Sequence, residues 1–131
     1  MRETQIQTPL ARVRGLGSAK QGTEHWWMQR LTAILMVPLG LWVVAELWLL
    51  AMRGADHAAL VDWLQGPVAA TLLILFSGAM FFHLKLGLQV VIEDYVHHKP
   101  KKWALLIGLS LGCLMAGVAC VYSIIAIALK G

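Results

Sequence analysis

The chain has 131 residues, is 59% apolar and only 14% charged, and has a mean hydropathy of +0.69. These values exclude an ordinary soluble domain and leave almost no sequence for a separate soluble catalytic unit. The formal net charge of +4 does not point to nucleic acid, because the basic residues cluster at the ends of apolar spans.

Residues 1–25 read as a polar, glycine-bearing, basic tail. No apolar h-region follows Arg2, so a cleaved signal peptide is not expected. Residues 26–131 read as a membrane domain, with transmembrane helices at about 28–52, 67–93 and 103–129. Each meets the requirement of about 20 apolar residues per span. The expected fold class is therefore all-α and integral to the membrane, with three transmembrane helices. The connections are short, so consecutive helices should be antiparallel neighbours. Internal repeats and low-complexity segments are absent.

At the first span, Thr23 is the expected N-cap, with Glu24 in the favourable first turn. Trp26 and Trp27 mark the inner interface, Trp48 and Trp63 the outer one, and Trp103 the inner start of the third span. Pro38 should kink the first span near Gly40. Glu46 lies close to the outer end and reads as an edge residue. Arg30 opens the span, either as a positive-inside anchor or as a bidentate partner for a carboxylate such as a haem propionate.

Charge sets the topology. Arg2, Arg12, Arg14, Lys20 and Arg30 lie before or at the first span. The first loop has Arg53 beside Asp56 and Asp62, the second has Lys99, Lys101 and Lys102 beside His97 and His98, and the C-terminus has only Lys130. The positive-inside rule puts the N-terminus and second loop in the cytoplasm or matrix. In a bacterium this is a multi-pass protein of the inner membrane with a periplasmic C-terminus.

The second span carries the chemistry. An ionisable side chain at the depth of His83 is costly in lipid and implies a use. A neutral imidazole suits haem iron as an axial ligand; hydrogen-bonded packing and proton relay are the other readings. A bis-histidine haem needs a second deep histidine. The sequence places His25, His57, His97 and His98 in tails or loops, while Met36, Met80 and Met115 read as packing. A second subunit would then supply the other ligand. Lys85 points away from His83 and should snorkel. Gly87, one turn below His83, admits close approach of a helix or a flat ligand.

From His83 to Asp94 is eleven residues, three helical turns with about 20° left over and roughly 16 Å along the axis. The two thus share one face, His83 buried and Asp94 at the membrane edge. A tyrosine hydroxyl such as that of Tyr95 donates to a carbonyl, and an adjacent carboxylate orients an arginine or passes protons. A quinone has that carbonyl, an apolar tail and a demand for protons. In the third span, Gly108 and Gly112 form a GxxxG pair suited to helix packing. Cys113 and Cys120, roughly 10 Å apart along a helix, are packing residues too far apart for a disulfide.

The pattern His83-x3-Gly87-x6-Asp94-Tyr95, followed by the basic run 99–102, resembles the smaller membrane anchor of succinate dehydrogenase, the D subunit of respiratory complex II. The stretch from Gly22 to Ala33 (GTEHWWMQRLTA) and the run from Gln89 to Tyr95 (QVVIEDY) are similar to bacterial and mitochondrial-type members. The resemblance covers about residues 15–102; the third span matches only in length and position. It implies that His83 is one axial ligand of haem b, with the larger anchor subunit (C) giving the other. It implies Arg30 near the propionates, Tyr95 on a ubiquinone carbonyl, and Asp94 in support through a partner arginine. The iron–sulfur (B) and flavoprotein (A) subunits would dock on the cytoplasmic face. They would deliver electrons from succinate, linking the tricarboxylic acid cycle to electron transport, with this chain non-catalytic alone. The alternatives are a structural anchor without cofactor, a quinol:fumarate reductase anchor, and a proton relay through His83, Glu46 and Asp94.

Overall fold

The computed structural model describes residues 8–10 and 22–130. Arg2, Arg12, Arg14 and Lys20 of the basic tail lie outside the described residues. Among the described residues 22–130 lie four helices: α1 (Gly22–Met52), α2 (His57–Gln65), α3 (Pro67–Tyr95) and α4 (Lys99–Ala128). Among the described residues three helices, α1, α3 and α4, are long and apolar enough to cross a membrane. The fold is the expected all-α membrane protein with three candidate spans.

Local chemistry sets the helix ends. The first helix already includes Thr23, so Thr23 is not its N-cap, while Glu24 does sit in the first turn. The helix continues through Pro38. It closes in a Schellman motif: the Gly54 amide donates to the Ala51 carbonyl and the Ala55 amide to the Leu50 carbonyl, each at 3.0 Å. Gly54 has φ +67, the left-handed conformation this cap requires.

The first loop holds an unexpected helix, α2. Asp56 caps it, its carboxylate accepting from the Ala59 amide at 2.9 Å. Trp63 on α2 packs on Trp42 of α1, with ring centroids 5.9 Å apart. Pro67 then starts α3 in the first turn, where a missing N–H costs nothing. The second loop is correspondingly shorter than expected, only residues 96–98, since the basic run forms the first turn of α4. Lys102 Nζ donates to the Glu93 carbonyl at 3.1 Å and ties α4 to the end of α3.

The central helix is α3, which packs against α1 on one side and α4 on the other. Its buried residues are mainly small: Ala69, Ala70, Ser77 and Ala79, with Leu86 below them. Small residues let backbones approach where lipid provides no hydrophobic drive between helices. Two rings of α3 serve opposite neighbours. A Cβ at Gly40 of α1 would meet Phe76, and one at Gly117 of α4 would meet Phe81, each at 3.5 Å. Both pairs of helices are antiparallel. Gly108 and Gly112 pack on nothing in the described chain, so the GxxxG pair does not serve internal helix packing. Both cysteines are free, and Cys120 Sγ lies 3.4 Å from Ser77 Oγ.

Candidate functional site

The first turns of α1 bring a polar stripe into an apolar helix. His25, Gln29 and Thr32 recur at i, i+4 and i+7, so they fall on one face. That face meets α3 at His83. Thr32 Oγ1 lies 2.9 Å from His83 Nδ1, and Gln29 Nε2 lies 3.5 Å from His83 Nε2. The Thr32 hydroxyl also lies 2.9 Å from the Met28 carbonyl and 3.0 Å from the Gln29 carbonyl of its own helix. Gly87 leaves room for Gln29: a Cβ there would stand 3.5 Å from Gln29 Nε2.

These residues wall an open cavity of about 340 Å³ between α1 and α3. His25, Trp26, Gln29, Arg30 and Ala33 form one side, His83 and Val90 the other. Arg30 is thus brought to the same cavity as His83. Its guanidinium sits over the Trp26 ring, 4.5 Å from the centroid, a cation–π contact that holds the charge at the cavity rim. His25 Nε2 and Gln29 Oε1 are buried without a hydrogen-bond partner among the described residues. A buried unpaired polar atom costs about 1–3 kcal/mol, so these two atoms are unused hydrogen-bonding capacity in the described chain.

The position of His25 corrects the sequence reading. It belongs to α1 and faces the cavity, not a tail, because α1 begins at Gly22. His57 is likewise the first residue of α2, whereas His97 and His98 stay in the connection before α4. Seven residues separate His25 from Thr32, so His25 lies roughly 10 Å nearer the N-terminal end of α1 than the His83 contact. Among the described residues, no group of three or more His, Cys, Asp or Glu side chains is placed to hold a metal ion.

Asp94 and Tyr95 end α3 beyond this cavity and do not line it. Tyr95 is 80% exposed, and neither residue hydrogen-bonds another described side chain. Both are free to face a partner or ligand. Lys85 faces the other way, into an apolar groove between α3 and α4, as its helical angle requires. Glu46 lies on α1 away from both sites.

Sequence reasoning missed Thr32, Gln29 and His25 as site residues. The readable signal was their common helical face in an otherwise apolar entry. Arg30 and His83, by contrast, stood out as charge and cost at membrane depth.

The comparisons with known proteins agree with this architecture. Residues 4–126 match the family model described as succinate dehydrogenase/fumarate reductase transmembrane subunit. The chain is 31% identical over 119 residues to the succinate dehydrogenase hydrophobic membrane anchor subunit of Rickettsia bellii, covering 91% of this chain and 94% of that protein. Its Rickettsia conorii counterpart is 30% identical over 120 residues, with 91% and 94% covered. That of Paracoccus denitrificans is 28% identical over 115 residues, with 86% and 85% covered. No solved structure matches the chain. A family match across nearly all the chain, on a three-span helical fold, shows that it belongs to the succinate dehydrogenase/fumarate reductase transmembrane subunits, as a hydrophobic membrane anchor subunit.

Proposed function

We propose that this chain anchors a succinate:quinone oxidoreductase in the bacterial inner membrane and forms one wall of its haem b site and part of its quinone site. The observation that carries this reading is the cavity at His83. A membrane-depth imidazole, a rim guanidinium on Arg30 and two unpartnered polar atoms of His25 and Gln29 line one open space. An axial ligand, a cation for carboxylates and spare hydrogen-bonding capacity are what a haem with propionates demands.

In this reading His83 would hold the haem iron, and the larger anchor subunit would complete the site. Arg30, steadied by Trp26, would meet the propionates, and His25 would add a hydrogen-bonding group at the inner rim. When bound, haem b supplies a one-electron store near the quinone. Tyr95 presents its exposed hydroxyl to a ubiquinone carbonyl, and Asp94 orients a partner arginine beside it. Both lie at the end that the basic residues mark as cytoplasmic, where the iron–sulfur and flavoprotein subunits would dock. Electrons derived from succinate then reach ubiquinone at that surface.

The test is the reduced-minus-oxidised visible spectrum of the purified complex. A b-type α-band that disappears or shifts in His83→Ala is expected. An unchanged band would remove this residue from the haem site.

A further inference from the structure

A histidine binds iron through a ring nitrogen that carries a lone pair, so the position of the remaining ring proton decides which nitrogen serves. Thr32 is placed to make that choice. Its hydroxyl owns one proton and has three neighbours: the Met28 carbonyl at 2.9 Å, the Gln29 carbonyl at 3.0 Å and His83 Nδ1 at 2.9 Å. Threonines inside helices give that proton to the carbonyl one turn back. In lipid the preference is firm, because the hydroxyl cannot turn to water instead. With the proton spent on α1, Thr32 Oγ1 offers only lone pairs to the imidazole. The matching partner is an Nδ1–H.

The second ring nitrogen has no partner of that quality. Its neighbour is Gln29 Nε2 at 3.5 Å, the outer limit of a hydrogen bond, on a flexible side chain that a ligated metal would displace.

We propose that Thr32 is a positioning residue. It accepts a hydrogen bond from His83 Nδ1–H and so fixes the ring angle and leaves Nε2 as the iron-ligating nitrogen. The bond also moves electron density toward Nε2, which makes the ligand a stronger donor and favours ferric iron. The inference rests on the haem reading above and names the group that tunes it.

The experiment compares Thr32→Val and Thr32→Ser in the assembled, purified complex. The midpoint potential is read by optical redox titration and the ferric signal by electron paramagnetic resonance. Valine keeps the shape and removes the acceptor; serine keeps the acceptor. The expected result is a haem of raised midpoint potential and altered ferric g-values in Thr32→Val, with Thr32→Ser close to the unsubstituted complex. Haem lost in Thr32→Val but retained in Thr32→Ser supports the same role. An unshifted potential in Thr32→Val overturns it, as do equal changes in the two variants, which would trace to packing. His83→Ala run alongside separates the two readings. A retained α-band there removes the haem assignment itself, whereas a lost band with an unshifted Thr32→Val removes only the role of Thr32.

Discussion

Gln29 of α1 lies against the backbone of α3 at Gly87, so close that a methyl group at Gly87 would touch its amide nitrogen at 3.5 Å. That distance is ordinary contact, which makes the substitution outcome depend on size. Gly87→Ala should assemble with a normal haem spectrum. Gly87→Leu must push Gln29 aside and separate α1 from α3 next to His83. Overpacking of this kind costs about 1–3 kcal/mol. The expected outcome is a reduced haem-to-protein ratio and a lower melting temperature for the leucine variant alone. Loss of haem in both variants would show that the glycine backbone itself, not the room it leaves, is needed.

Ser77 makes a corresponding point on the α4 side. It is buried, donates to the Leu73 carbonyl at 2.7 Å and stands 3.4 Å from Cys120 Sγ. Because the hydroxyl proton goes to its own helix, Cys120 is the donor of a weak thiol bond between the helices. Hydrogen bonds between membrane helices average only about 0.6 kcal/mol. Ser77→Ala should therefore lower thermal stability only slightly and leave the α-band in place. Ser77→Leu should lower it by several degrees, because the small residues around Ser77 set the spacing of α3 and α4. Thermal denaturation of the detergent-solubilised complex, followed by loss of haem absorbance, distinguishes the two.

Much of this architecture is legible in the sequence, because the dominant forces leave periodic or compositional marks. Span length fixed the three long helices, and the cost of charge in lipid singled out His83. Helix α2 was not read: nine residues between two spans look like a loop until Asp56 is seen as its cap. The contact from Thr32 to His83 was hidden for a different reason. Fifty-one residues separate the pair, and only the packing of α1 on α3 sets their register. The place of His25 in α1 is hard to read because helix starts are the least legible boundary, and α1 begins several residues ahead of its apolar run. The GxxxG spacing of Gly108 and Gly112 suggests helix packing, but a Cβ at either would meet nothing in the described chain.

Tyr95 differs from every residue of the His83 cavity in owing nothing to the fold. It is 80% exposed at the last position of α3, and its hydroxyl has no hydrogen bond to another described residue. Removing its hydroxyl therefore leaves the packing of α3 intact, and Tyr95→Phe should assemble with haem content and spectrum unchanged. If the hydroxyl donates to a quinone carbonyl whose charge grows on reduction, its loss costs about 1.5–3 kcal/mol in that step, as for hydrogen bonds to charged groups. Each 1.36 kcal/mol is a factor of about ten in rate, so quinone reduction should fall by roughly ten- to a hundredfold. Succinate oxidation measured with an artificial acceptor that draws electrons upstream of the membrane should be unaffected. Asp94→Asn should follow the same split if Asp94 orients a partner arginine as proposed, since it is also exposed. Equal loss of both activities in Tyr95→Phe would place the residue in assembly of the complex.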